Sequence, residues 1–466
     1  MRLLRRALLS LMAAGVLLHT PHARLEAQRP PNPPDELATT VRDGFTMASV
    51  GDLVIAYPTG GNPDPAFTSI TKLIRDADVA TANYEANIID GRSFKGSAPG
   101  GFGGTPDVAA DVKAMGFDLV ARSNNHIGEY GYEGLLETNG WLDKAGLVYA
   151  GSGETYWAAR APRFVSTPKG RVGLVATASS YAQNMMAAQG RGEWLGRGGQ
   201  SALRTRRLYV VPQSMWQAIK SIREAFPTGG SLYAPTGEKE NEISILGNWF
   251  RLAATATPYY SYEMNQEDLK DILAMVREGK MKSDFMAVSI HAHETHDTGE
   301  VDVDSSIADF LPQFAKACID AGADAFLGTG VHVVRGIEIY KGRPIFYGLG
   351  EFFRQMDTIG LSAVKPIERG GRNSEPIKYE GIVAVSKFDR GQLSELRLYP
   401  TDLNREDRLA HRGVPKAASP ELAQRTLARL QKLSAPLGTT IAIEGNVGVI
   451  RPRPASSTAS GGQVRP

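Results

Sequence analysis

Cysteine is nearly absent from this chain. Cys318 is the only one in 466 residues, which excludes an intrachain disulfide framework and any thiolate-rich zinc or iron–sulfur site. Neither sign of charge is in excess: 52 Lys and Arg face 50 Asp and Glu, and the slight positive balance comes from residues 1–27, which hold four Arg and one Glu. Without them the formal charge is −1, so a polyanion-binding body is not supported. No apolar run beyond the N-terminal region approaches the ~20 residues needed to cross a bilayer, and no internal repeat is visible. What the chain does have is histidine in a suggestive place. Of eight, His19 and His22 lie near the N-terminus, and His291, His293, His296 and His332 fall within one short stretch, leaving His126 and His411.

The two ends read as separate from the fold. Arg2, Arg5 and Arg6 precede the apolar Ala7–Leu18, and Leu25-Glu26-Ala27 offers small-residue cleavage, the pattern of an export signal over 1–27. A retained membrane anchor is the lesser alternative. The expected location is periplasmic, extracellular or on the cell envelope. Residues 28–44 contain a Pro-rich linker, and 451–466 form a tail rich in Ser, Gly and Pro. Between them, 42% hydrophobic and 22% charged residues describe an ordinary globular body.

Within that body short apolar runs alternate with amphipathic stretches. Strands are expected at Phe45–Ile55, Val79–Asn83, Leu119–Ala121, Val148–Ala150, Val172–Ala176, Phe285–Ile290 and Ala325–Leu327. Helices are expected at Phe67–Asp76, Pro106–Met115, Tyr132–Ala145, Gln266–Glu278 and Ile307–Ala321. This alternation predicts an α/β layered fold. The stretch from Tyr181 to Tyr262 breaks the rhythm and reads as an insertion beside the site, with one helix at Ser214–Phe226. A hairpin is expected at Ile337–Tyr347, and beyond residue 357 two strands, a helix at Pro420–Leu433 and a final strand pair complete the chain.

Five polar segments sit at C-terminal ends of expected strands: Gly51-Asp52, Asn83-Tyr84-Glu85, Asn124-Asn125-His126, His291-Ala292-His293-Glu294, and Gly328 to His332. Strand C-termini are where α/β sheets build sites, and Asp, Glu, Asn and His are ligands suited to Mn, Fe, Zn or Mg. Each segment alone has an ordinary explanation. Asp52 could cap a helix, Glu85 could be a solvated loop charge, Asn124-Asn125 a turn, His126 a core histidine. His291 and His293 share a face if they lie on a strand, yet two loop histidines would look the same. Their joint order carries the argument.

That order resembles the CapA family of capsule or poly-γ-glutamate synthesis proteins, a branch of the calcineurin-like metallophosphoesterase superfamily. The similarity runs from about Phe45 to Phe353. It includes the five segments, Tyr130-Gly131, Gly134, Thr138, Leu142 and Gly151-Ser-Gly153, and Val331-His332-Val333-Val334-Arg335-Gly336 running into Pro344–Phe352. The resemblance implies a four-layer α-β-β-α sandwich over 45–357, completed by 358–450. It implies one or two divalent metals held by Asp52, Glu85, Asn125, His291 and His332, with His126 as a non-ligating general acid or charge stabiliser.

Four positions depart from the superfamily pattern. Val54 stands where a His is usual, Thr329 and Gly330 where the earlier of two histidines would be, His291-Ala-His293-Glu294 in place of His-Trp-Gly-x-Glu, and Gly350-Glu351 in place of Gly-Asn. His293 or Glu294 is the candidate replacement ligand. The expected function is therefore an exported metal-dependent hydrolase-type protein acting on phosphate esters or an anionic cell-envelope polymer in capsule or poly-γ-glutamate synthesis, processing or export. The alternative is a non-catalytic polymer-binding or assembly subunit with a degenerate site, working with membrane-bound capsule synthesis proteins. A nuclease of the same superfamily is disfavoured by the neutral charge.

Overall fold

The computed structural model describes residues 39–96, 100–226, 239–301, 303–356, 375–408 and 410–452. The expected export signal, most of the expected linker and nearly all of the C-terminal tail lie outside them. Among the described residues no helix is long and apolar enough to cross a membrane.

Two sheets face one another. The first is ten-stranded and mixed, built around the strand Phe45–Val54. On one side this strand pairs in parallel with Val79–Tyr84, and the sheet runs on through Leu119–Ala121 to Val148–Ala150. On the other it pairs antiparallel with Glu380–Asp389, which leads to Gln392–Asp402 and the terminal pair Ala442–Glu444 and Val447–Ile450. The second sheet is six-stranded in the order Ile337–Tyr340, Arg343–Phe346, Ala325–Gly330, Phe285–Ala292, Gly170–Ala178, Arg163–Thr167.

Strand periodicity explains why both faces of each sheet are covered. Along Phe45–Val54, Phe45 and Met47 point into the space between the sheets, where they meet Val172, Leu174, Phe285 and Leu327. Ala48 and Val50 point the other way, onto Phe67, Ile70 and Ile74 of the helix Pro65–Arg75 and Val108 and Val112 of Asp107–Ala114. A strand buried on both faces reads as a continuous apolar run, as this one does. On the far side, Ile272 and Val276 of Gln266–Met281 and Phe314 and Cys318 of Phe310–Asp320 cover Met286, Val288, Ile290 and Phe326. The result is the expected four-layer α-β-β-α sandwich. Leu427 and Leu430 of the helix Pro420–Ser434 pack into the inter-sheet core with Leu396 and Leu398. Val41 is already part of that core, so residues 41–44 pack with the body.

Most expected elements form, and two differ in an informative way. The helix expected from Ile307 begins at Phe310. That start puts Pro312 in the first turn, where its missing N–H leaves no bond unmade, whereas a start at 307 would put it in the helix interior. The insertion contains its helix, Gln213–Ala225, but also an unexpected four-stranded sheet ordered Glu242–Ile245, Asn248–Leu252, Thr205–Val211, Tyr259–Met264. Its strands disguise themselves because they carry a charge network: Arg206 and Arg251 both pair with Glu242 and Glu263. Trp216 and Ile219 of the helix close a small separate core with Val211, Ile243 and Ile245.

The site end of Phe45–Val54 is irregular. Its pairing register slips between Ser49 and Asp52 on one side and between Asp52 and Leu53 on the other, where the short strand Glu351–Arg354 joins in parallel. Bulges re-aim side chains. A Cβ on Gly51 would fall 1.7 Å from the carbonyl oxygen of Gly350, so only glycine lets these segments meet. Gly51→Ala is expected to cost several kcal/mol, at the upper range for overpacked buried sites. Gly146→Ala should cost about 1 kcal/mol, because Gly146 has φ +73° at a helix end but open space around it. Urea unfolding of the two variants checks the ranking.

Candidate metal centre

The five strand-end segments arrive at one place, at the seam where the two sheets meet. Asp52 is fully buried and is held from both sheets. Asn83, its register partner on the neighbouring strand, donates Nδ2 to Asp52 Oδ1 at 2.8 Å and lies 3.1 Å from His291 Nδ1. From the second sheet, the Gly330 N–H donates to Asp52 Oδ2 at 3.0 Å. Close approach there depends on Gly330, at φ +104° with a hypothetical Cβ 2.9 Å from Ala292 N. Asn83, quoted in the sequence only as a neighbour of Glu85, is thus a bridge across the seam.

Glu85 follows directly. It too is fully buried, and neither carboxylate oxygen has a hydrogen-bond donor among the described residues. Its Oε1 lies 3.5 Å from His291 Nε2 and 3.6 Å from His126 Nε2. Burial, and then the negative charge of Asp52, push its pKa well above the ordinary carboxylate range. Around it the imidazoles converge. His291 Nε2 is 2.9 Å from Asn125 Oδ1 and 3.1 Å from His293 Nε2. Two overlapping groups, Asp52–Glu85–His291 and Glu85–His293–His332, bring one ligand atom from each residue within 4.8 Å of the others.

A buried carboxylate without donors is costly unless a cation compensates it. Oxygen and imidazole donors facing an orphaned Glu85 are the donor set that a divalent cation requires. The residues present therefore fit a metal. His293, the replacement candidate, is within this cluster. Glu294 is not: its Oε2 accepts from the Ser179 and Ser180 hydroxyls at 2.8 and 3.0 Å, and Ser180 Oγ accepts from the His293 N–H at 2.8 Å. Glu294 thus braces the loop that presents His293.

His332 enters from a left-handed turn, φ +62°, a conformation less disfavoured for His than for most residues. Its Nδ1 stands 3.7 Å from Asp52 Oδ2 and 2.9 Å from Glu351 Oε1. Burial works against its charged form, but the Glu351, Asp52 and Glu85 carboxylates outweigh this and hold its pKa well above normal. Glu351 is the site residue that sequence reasoning noticed only as a departure. It is fully buried and takes Arg354 Nη1 at 2.6 Å on both oxygens. Burial alone would raise its pKa, yet Arg354 and His332 lower it. The available signal was Glu351 and Arg354 three residues apart inside an aromatic run.

His126 stands at the edge of the cluster. Its Nδ1 lies 2.7 Å from Glu129 Oε1 and its ring stacks on Phe102 at 4.0 Å, which turns Nε2 towards Glu85. Beneath it, fully buried Arg122 donates to the carbonyls of Tyr84 and Ala86 at 3.3 and 2.6 Å, gripping the backbone on either side of Glu85. Desolvation lowers the Arg122 pKa to about 10. His296 does not join the cluster: it stacks on Tyr259 and sits 2.8 Å from Asp297.

From Asn125 and His293 a cleft of about 500 Å³ opens towards the insertion, past Ser179, Ser180 and Tyr181 to Thr205, Arg207 and Glu300. Another concavity of about 440 Å³, between Tyr156, Arg204 and Asp268, touches none of the cluster residues.

Fold and cluster together define a four-layer α-β-β-α sandwich with a candidate divalent-metal centre at its strand ends. More narrowly, residues 46–356 match the bacterial capsule synthesis protein PGA_cap family, and the chain belongs to it. It is 41% identical over 446 residues to the uncharacterized protein y4sH of Sinorhizobium fredii (strain NBRC 101917 / NGR234), covering 89% of this chain and 94% of that one. A probable polyglutamine synthesis accessory protein of Mycobacterium tuberculosis is 27% identical over 286 residues, 61% of this chain and 57% of the relative. The capsule biosynthesis protein CapA of Bacillus anthracis is 21% identical over 321 residues, 66% and 59% respectively.

Glu85 sets a pH dependence. Its folded pKa lies above the unfolded value of about 4.3, so over that window the metal-free folded chain holds a proton that the unfolded chain releases. Stability on its account falls as pH rises. His332 acts in the same direction, its contribution complete below about pH 6.5 and lost as pH rises through its raised folded pKa. Metal-free protein should therefore lose stability between pH 5 and 8, and Glu85→Gln should reduce that slope. Urea unfolding at a series of pH values measures both; equal slopes would contradict the account.

Proposed function

We propose that this chain is an exported, divalent-metal-dependent hydrolase or transfer protein of the cell envelope, acting on phosphate esters or on γ-linked polyglutamate or a related polymer. The observation that carries the proposal is Glu85, a fully buried carboxylate with no donor among the described residues, ringed by Asp52 and the imidazoles of His126, His291 and His332. In it, Asp52, Glu85, Asn125, His291, His332 and His293 hold the metal. Mn, Fe, Zn or Mg, as one ion or two, suits this mixture of oxygen and nitrogen donors. A bound divalent ion would supply charge stabilisation and an activated water.

The chain's own groups supply the rest. Asn83 fixes Asp52, Arg122 fixes the backbone around Glu85, and Ser180 fixes His293. Glu129 holds the His126 Nδ1 edge so that Nε2 faces the reacting group. There it can donate a proton to a leaving oxygen or balance developing negative charge. Phe102 shields one face of that imidazole from water. Export rests on Arg2, Arg5 and Arg6 followed by Ala7–Leu18.

Thr329, placed where a second histidine is usual, favours a second reading. Its Oγ1 lies 3.3 Å from the Ile290 carbonyl, occupied within the sheet. In this reading the chain is a polymer-binding or assembly subunit that partners membrane-bound capsule synthesis proteins, and the metal serves folding alone.

Metal analysis by mass spectrometry, with phosphodiesterase and polymer-cleavage assays plus or minus Mn²⁺, separates the two. Mn²⁺ at a hundred times its dissociation constant should stabilise the protein by about 2.7 kcal/mol, and His332→Ala should diminish that gain. His126→Gln should retain metal and lower turnover about 10²- to 10⁴-fold. Metal uptake without turnover selects the assembly reading; no uptake, and no effect of His332→Ala, would overturn both metal roles.

A further inference from the structure

The insertion presents one cation to the cleft that leads to the buried carboxylates. Residues along the strand Thr205–Val211 alternate between its two faces. Arg206 is engaged on one, by Glu242 and Glu263. Thr205 and Arg207 lie on the other and line the same cleft as Asn125 and His293. Arg207 Nη1 meets Glu300 Oε1 at 3.4 Å, with both side chains more than a third exposed. A contact of that length in solvent holds little. Glu294, the remaining carboxylate of the cleft, is engaged by Ser179 and Ser180. Arg207 is therefore the cleft's adaptable charge, and a guanidinium fork suits a carboxylate or phosphate in two-point contact.

We propose that the cleft is an anion subsite, in which Arg207 takes an oxyanion of the substrate at a distance from the reacting atoms and displaces Glu300, the resident competitor. This rests on the buried cluster being the reacting centre. A γ-glutamyl chain would offer a carboxylate one or more units from the scissile bond, and a phosphodiester oligomer would offer a second phosphate, one unit from the one that reacts. Recognition away from the reacting bond selects an extended anionic substrate over a small neutral one. Arg207 is a specificity-determining residue whose loss weakens binding without touching the metal.

Titration calorimetry on the full chain with Mn²⁺ tests this, using a γ-glutamyl hexapeptide in one arm and a phosphodiester-linked glycerol phosphate trimer in the other. Arg207→Gln should weaken at least one probe about tenfold, and Arg207→Lys should weaken it less. Glu300→Gln should tighten the same probe about threefold by removing the competitor; a merely structural pair would not give opposite signs. The responding probe identifies the oxyanion. Unchanged affinity for both probes in Arg207→Gln, or no binding of either by wild type, would overturn the proposal. Mn²⁺ binding, followed separately, should be the same in every variant. If wild type binds the hexapeptide through Arg207 yet takes up no Mn²⁺, the metal reading fails and the subsite stands.

Discussion

The structure depends on two carboxylates, Asp52 and Glu85, buried at the ends of adjacent strands with little to neutralise them. Asp52 has donors: Asn83 and the Gly330 amide. Glu85 has none. Such a pair persists only where its surroundings are stiff enough to forbid relaxation, and the inter-sheet core provides that stiffness. Phe45, Phe285 and Phe388 interlock with ring centroids 4.8 to 6.2 Å apart, fixing the two sheets whose far ends carry the ligands. Local strain joins the packing: a bulge on each side of Asp52 and a left-handed His332. The donor set is thus imposed by the scaffold, and the charge it concentrates calls for a cation.

Around this pair the chain itself supplies supporting contacts. Arg122 grips main chain, Arg354 grips Glu351, and Arg335 donates to the Glu294 carbonyl at 2.9 Å. All three arginines are buried. Arg122 and Arg335 brace the segments that follow two different strands, and Arg354 braces the strand Glu351–Arg354 from within, where flexibility would let the imidazoles drift out of ligand geometry. His293 and Glu351 bring an imidazole and a carboxylate into the space near His332.

Much of this was legible in the residues. The layered fold follows from apolar runs alternating with amphipathic stretches, and the segments carrying Asp52, Glu85, Asn125, His126, His291 and His332 stood out because each sits at or just past the C-terminal end of a strand, the roles of the single residues coming from the family resemblance. Asn83 and Glu351 could not. Asn83 lies within a strand and acts through its pairing register with Asp52, while Glu351 acts through a neighbour 19 residues away in sequence, His332. Neither relation has a local signature. The small sheet of the insertion was hidden for another reason: Arg206, Glu242, Arg251 and Glu263 break the apolar alternation that marks strands, because these charges satisfy one another.

The strand order of the first sheet bears on how the chain acquires its fold. The segment beside Phe45–Val54 is Glu380–Asp389, and Gly44 bonds to Asp389 across 345 residues of sequence. The strand carrying Asp52 therefore keeps an open edge until almost the whole polypeptide has been synthesised. Pairings this remote in sequence form slowly, and an unpaired apolar strand invites wrong partners while it waits. A nascent chain of this topology stays unfinished, and threadable, for most of its synthesis. Late closure of that edge makes the segment from Glu380 to Asp389 the one that completes the sheet carrying Asp52.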